Sequence, residues 1–223
     1  MGRVIHHASR ITPHASRLTH HVSRITRLGV LGGTFDPPHY GHLALAENAR
    51  VQLGLDRVLF VPAGQPPHKP EHPVASDHHR AAMVQAAIAD NPGFALSRVD
   101  LDRPGPHYTV DMLALVQQEY PGAELVFLMG GDSLAQLPFW RDPAGIARLA
   151  RLAVMRRPGY EPDLEALERT VPGLSERLLW IDAPPLALSS SDLRRRVREG
   201  LPICYLVPPP VESYIREHHL YEA

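Results

Sequence analysis

A chain of 223 residues, 44% apolar and 21% charged, is long and apolar enough for one sizeable domain with its own core. No run of 18 apolar residues occurs and Cys204 is the only cysteine, so a membrane-spanning helix, an internal disulfide and a cysteine-rich zinc site are excluded; no membrane partner is expected, and a reducing cytoplasm suits the chain. The formal net charge of −1 hides an asymmetry: residues 1–27 carry five arginines and no acid, leaving 18 of the 23 lysines and arginines against all 24 acids. An acidic body argues against general nucleic-acid binding, which works by neutralising phosphates, so any phosphate site must be local.

The first segment repeats. Residues 7–26 read HASRITP, HASRLTH, HVSRIT, a period of seven with apolar pairs Ala8/Ile11, Ala15/Leu18 and Val22/Ile25. Fewer than three heptads, an interrupting Pro13 and no glutamate partners for the arginines argue against a coiled coil. An acid-free, Arg- and Ser-rich start also has the composition of a transit peptide, but that needs no exact periodicity. A near-exact repeat reads instead as translated repetitive DNA ahead of the true start, so residues 1–27 are expected to be a disordered, repeat-like extension, with the functional domain spanning 28–223.

The body is read as alternating strands and helices. Leu28–Leu31 is a short apolar run stopping at Gly32-Gly33, as a buried parallel strand does. Leu43, Leu45, Ala46, Ala49 and Leu53 give Gly41–Leu53 helical spacing. A strand over Arg57–Val61 follows, then a long Pro- and His-rich loop over Pro62–Pro73, a helix over Ser76–Ala89 with Ser76 as N-cap, and a strand over Phe94–Val99. Thr109–Tyr120 is a helix closed by Pro121-Gly122, and Leu125–Met129 a strand again ending at Gly-Gly. Strands at Leu152–Met155 and Leu178–Ile181 and helices at Ser190–Glu199 and Pro209–His218 complete the chain. This alternation predicts an α/β, Rossmann-like doubly wound parallel sheet, with ligands at the carboxyl ends of the strands.

The densest motif lies at such an end: LGGTFDPPHYGHL, residues 31–43. Gly32 and Gly33 let backbone approach a phosphate with no Cβ in the way. The helix from Gly41 aims its N-terminus at the same place, where anions are favoured. His39 and His42 then converge on one anion and can stabilise charge built up during transfer. A bare Gly-Gly turn with two polar histidines is the plain alternative for a shorter string. His-x-x-His can also chelate a metal, but no third ligand is evident.

GGTFDPPHYGHL resembles the phosphate-binding motif of the nucleotidyltransferases with an HxGH signature, most closely the bacterial nicotinate-nucleotide adenylyltransferases. PPHK at 66–69, RPGPHYTVDML at 103–113, LMGGDSLAQLPFW at 128–140, LSSSDLR at 188–194 and VPPPVESYI at 207–215 resemble that family's further motifs, in its order. The resemblance covers Leu28 to Tyr221.

It implies transfer of AMP from ATP to nicotinate mononucleotide, giving deamido-NAD and pyrophosphate, with Mg²⁺ on the phosphates. The attacking phosphate is already anionic, so no general base is needed; catalysis is positioning plus charge neutralisation. His39, His42 and Arg194 are the implied catalytic residues. Gly32, Gly33, Thr34, Phe35, Asp132, Ser189 and Ser190 complete the implied ATP site, and Lys69, Tyr108, Thr109 and Trp140 the mononucleotide site.

Taken alone, each has a plainer reading. Ser189 and Ser190 read as helix caps, Asp132 as another cap, Arg194 as part of a solvated Arg194-Arg195-Arg196 run, Trp140 as core and Lys69 as surface. His107 departs from the family, where serine is usual, and Ser191 stands where threonine is usual.

Pantetheine-phosphate adenylyltransferases and cytidylyltransferases share the HxGH logic but not the middle motifs. A class I aminoacyl-tRNA synthetase would need a KMSKS-like lysine loop. A non-catalytic nucleotide sensor is the rival of a different class. The residues leave open whether the chain acts alone or as a homo-oligomer.

Overall fold

The computed structural model describes residues 25–64, 75–156, 159, 161–184 and 186–222. The repeat over 7–26 lies outside them except for Ile25 and Thr26, and most of the expected Pro- and His-rich loop, with Lys69, lies outside them as well.

Six parallel strands form one sheet: β1 (Arg27–Gly33), β2 (Arg57–Pro62), β3 (Phe94–Leu96), β4 (Glu124–Gly130), β5 (Ala150–Met155) and β6 (Leu178–Ile181), in the order β3-β2-β1-β4-β5-β6. β1 is central. It pairs with β2 from Leu28 opposite Arg57 to Gly33 opposite Pro62, and with β4 from Arg27 opposite Glu124 to Val30 opposite Phe127. The winding direction reverses between β1 and β4, which opens a crevice at their carboxyl ends, where ligands bind in such sheets.

Strand side chains alternate between two cores. Leu28, Val30, Leu59, Val61, Leu125, Phe127, Leu152 and Val154 face one side; Leu31, Val58, Phe60, Val126, Leu128 and Ala153 face the other. Helices α3 (Thr109–Glu119), α4 (Gly131–Gln136), α5 (Pro143–Leu149), α6 (Leu164–Thr170) and α7 (Leu174–Arg177) add their apolar residues to the first core. Helices α1 (Tyr40–Gln52), α2 (Asp77–Ile88), α8 (Ser190–Arg198) and α9 (Pro209–Glu217) add theirs to the second. Full burial of a Leu, Val or Phe side chain contributes about 1.5–3 kcal/mol, so strands buried on both faces are the main source of stability.

The expected elements occur, with shifts at their ends. β1 begins at Arg27 because the carboxylate of Asp56 accepts the backbone N–H groups of Thr26 and Arg27 at 2.7 and 2.9 Å, tying the chain in before Leu28. The strand expected to reach Val99 ends at Leu96; beyond Ser97 the chain turns, with Asp102 N–H donating to the Arg98 carbonyl. Ser76 caps α2, its hydroxyl accepting from His79 N–H at 3.4 Å. Helices α4 to α7 were not expected.

Candidate active site

The phosphate-motif residues lie where β1 meets α1. β1 ends at Gly33, Phe35 turns the chain through a left-handed conformation (φ 50°), and α1 starts at Tyr40. Phe35 is buried, its ring 5.7 Å from that of Phe60 and edge-on to His42 at 5.0 Å. Its side chain thus supports the loop from the core.

The two histidines touch. Their rings are stacked with centroids 3.8 Å apart, and the His39 backbone N–H donates to Nδ1 of His42 at 3.2 Å. With Nδ1 accepting, neutral His42 carries its proton on Nε2. Gly41 makes the approach possible: a Cβ there would lie 3.0 Å from two atoms of the His39 ring. Burial pushes the His39 pKa down to about 4, partly opposed by a backbone hydrogen bond. Burial first and His39 second push His42 well below its ordinary value. At neutral pH the pair is therefore uncharged, and its ring N–H groups can donate hydrogen bonds. Nδ1 of His39 is buried without a hydrogen-bond partner among the described residues.

The start of α8 docks against the same loop. Ser190 hydroxyl donates to the Pro37 carbonyl at 2.9 Å, and Arg194 Nη1 donates to the Asp36 carbonyl at 2.7 Å. Ser189 is the helix cap, accepting from Asp192 N–H at 3.2 Å. Arg195 pairs with Asp192 and Glu199 at the surface, which separates it from the arginine that faces the loop.

On the other side of Gly32–Thr34 lies a cavity of about 380 Å³. Tyr108 and Thr109 from the start of α3, Asp132 from the first turn of α4 and Trp140 line it together with Gly32, Gly33 and Thr34. Trp140 follows the 3₁₀ turn Leu137–Phe139 and meets Phe127 edge-on at 6.2 Å, so its indole is both core-anchored and cavity-facing. His39, His42, Ser189, Ser190 and Arg194 are not among the lining residues. The site thus has two parts, a histidine–arginine part and an aromatic cavity, joined along the end of β1.

Several residues of the site were not anticipated. Asp36 is fully buried inside the motif. Arg80 on α2 is 1% exposed, and its guanidinium donates to the carbonyls of Thr34 at 2.9 Å and Gly64 at 3.2 Å and to the carboxylate of Asp77. Arg141 stacks over the Tyr108 ring at 4.7 Å, and both line the cavity. Asp100, paired with Arg103 at 2.7 Å, is pushed up in pKa by burial in the cavity wall. His107, by contrast, is already marked in the sequence as a departure from the family; it bonds the Arg103 carbonyl at 3.1 Å and sits so close to Gly64 that a Cβ there would meet its ring at 2.6 Å. Among the described residues no group of three or more His, Cys, Asp or Glu side chains is placed to hold a metal ion, and no helix is long and apolar enough to cross a membrane.

A family model described as cytidylyltransferase-like matches residues 30–196. A probable nicotinate-nucleotide adenylyltransferase of Thermomicrobium roseum is 54% identical over 196 residues, covering 88% of this chain and 92% of the relative. One from a Roseiflexus species is 51% identical over 195 residues, covering 87% and 97%. A Plasmodium falciparum nicotinic acid mononucleotide adenylyltransferase solved with APC shares the fold at TM-score 0.70 and 20% identity, covering 88% of this chain and 97% of that one; a second structure of that protein contains NaAD.

Proposed function

The chain belongs to the cytidylyltransferase-like family and, at 54% identity over 196 residues, to the nicotinate-nucleotide adenylyltransferases, and from that premise we infer that it transfers AMP from ATP to nicotinate mononucleotide. An oxygen of the mononucleotide phosphate attacks the α-phosphorus of ATP. The new bond makes deamido-NAD, and the bond to the β-phosphate breaks to release pyrophosphate. The observation that carries this reading is the shared wall: Gly32, Gly33 and Thr34 border the aromatic cavity and lead directly into the histidine loop. An acceptor seated against Trp140 and Tyr108 would direct its phosphate toward that loop.

Each residue then has a role set by its chemistry. Neutral His39 and His42 donate to phosphate oxygens on which charge builds during transfer. Arg194, with donors beyond the one held by Asp36, neutralises the departing pyrophosphate at the start of α8, where the helix end also favours anions. Gly32 and Gly33 let phosphate approach the backbone, Thr34 adds a hydroxyl, and Phe35 presents its backbone. Ser190 holds the α8 end against the loop, and Ser189 caps the helix. Asp132 suits ribose hydroxyls, Trp140 a stacked pyridine ring, and Tyr108 and Thr109 its carboxylate; Lys69 suits an anionic substrate group.

Mg²⁺ fits as the counter-ion that ATP brings. It prefers substrate phosphates and water to an all-protein cage.

The test is product identification. The purified chain with ATP, Mg²⁺ and nicotinate mononucleotide is expected to yield deamido-NAD and pyrophosphate in equal amounts. ATP consumption giving ADP and phosphate instead would contradict the reading.

A further inference from the structure

Beneath the histidine loop lies a buried polar relay that the reaction as described does not use. The Asp36 side chain is 0% exposed. Its Oδ1 accepts the Tyr221 hydroxyl at 2.6 Å and the Ala75 N–H at 3.1 Å. Its Oδ2 lies 3.4 Å from Nη1 of Arg194 and has no hydrogen bond of good geometry among the described residues. The same guanidinium nitrogen donates to the Asp36 backbone carbonyl at 2.7 Å. Asp36 therefore contacts Arg194 through both its main chain and its side chain.

Tyr221 reaches this carboxylate from a position 185 residues downstream. After α9 the chain passes through left-handed conformations at His219 (φ 50°) and Tyr221 (φ 66°), which fold its end back beneath the loop. Burial, and then the charge of Asp36, push the tyrosine pKa above its ordinary value, so the hydroxyl stays a donor.

A buried tyrosine–carboxylate bond often does no more than hold two elements together. Here the carboxylate's other neighbour is the arginine assigned to the phosphates. A guanidinium carries five donors in one plane, so fixing Nη1 fixes where the others point. An arginine held this way before substrate arrives has less freedom to lose when charge develops beside it.

We propose that Tyr221 is a positioning residue for nucleotidyl transfer: its hydroxyl fixes the Asp36 carboxylate, and Asp36 holds the Arg194 guanidinium aimed at the transferred phosphates. This rests on the adenylyltransferase reading of the site. Tyr221 and Asp36 touch no substrate and act through Arg194.

The full chain is assayed for pyrophosphate release as wild type, Tyr221→Phe, Arg194→Lys, the double variant and Leu220→Ala, with kcat, both KM values and the melting temperature for each. Leu220→Ala trims an apolar side chain packed on the second core and keeps the Tyr221 hydroxyl in place on Asp36. Tyr221→Phe is expected to lower kcat about tenfold while both KM values stay within about threefold, as for an interaction felt mainly in the transition state. In the Arg194→Lys background the same change is expected to cost less than about twofold, because coupled residues are not additive. Leu220→Ala is expected to lower the melting temperature with kcat unchanged. An unchanged kcat in Tyr221→Phe, an equal loss in both backgrounds, or a kcat loss in Leu220→Ala matching that of Tyr221→Phe would each overturn the proposal and reduce the bond to a structural latch. A wild-type chain that releases no pyrophosphate would instead overturn the functional reading, and the proposal with it.

Discussion

His42 stacks on His39 at 3.8 Å between ring centroids, and its Nδ1 accepts the His39 backbone N–H. The spacing of three residues across a glycine therefore does two things. It brings two imidazoles to one point, and it fixes the tautomer of the second, so that Nε2–H is the donor left for a ligand. His42→Ala removes that donor and is expected to lower kcat by about 10²-fold or more, the size seen when one transition-state donor is lost. Steady-state kinetics beside a melting curve check this. Near-normal turnover in a folded variant would remove His42 from the chemistry.

The same burial makes the fold acid-sensitive. Histidine titrates near 6.5 when unfolded, and His39 near 4 when folded. Between those values the unfolded chain binds the extra proton, so stability is complete above about pH 6.5 and is lost as pH falls toward 4. A shift of this size corresponds to at most about 3 kcal/mol, and His42 acts in the same direction. Urea unfolding at about pH 7.5 and about pH 5 measures the difference, which should shrink in His39→Asn. Equal stability at the two pH values would show that the imidazoles are not held neutral.

Arg141 lies over the Tyr108 ring at the cavity that the mononucleotide is proposed to enter. The acid mononucleotide carries one more negative charge than the amide, so a cation here favours the acid. An exposed ion pair of this kind is worth about 0.2–1 kcal/mol, and Arg141→Ala should raise KM for nicotinate mononucleotide about 1.5- to fivefold with kcat nearly unchanged. KM for the amide should move less. Equal shifts for both acceptors would mean that Arg141 only supports the tyrosine ring.

We propose that residues 1–24 are dispensable. Ile25 packs against the core, and the Thr26 carbonyl accepts Glu124 N–H at 2.8 Å, so the cut belongs before Ile25. A chain starting there should match the full chain in kcat and melting temperature; a loss of either would give the repeat a role.

The sheet was legible because each strand is an apolar run stopped by glycine, proline or a polar turn, and buried parallel strands need no other signal. The short helices were less so. α4 begins at Gly131 with no separating loop, and the start signal of α5, a cap at Asp142 followed by Pro143 at the first helical position, was passed over. The histidine loop stood out because its residues are close in sequence, whereas Trp140, which by itself reads as core, stood out only through the family resemblance. The relay from Tyr221 to Asp36 could not, since 185 residues separate the partners and only the fold joins them. Arg80 left a trace: it stands three and four residues before Met83 and Val84, on the buried stripe of α2, where a cation needs internal acceptors.

The central claim is tested most directly by pyrophosphate release with ATP and Mg²⁺ and three acceptors side by side: nicotinate mononucleotide, nicotinamide mononucleotide and phosphopantetheine. Strong preference for the first is the predicted result. Release with phosphopantetheine or the amide alone would keep the HxGH chemistry and contradict the substrate assignment, and ATP binding without release for any acceptor would contradict catalysis itself.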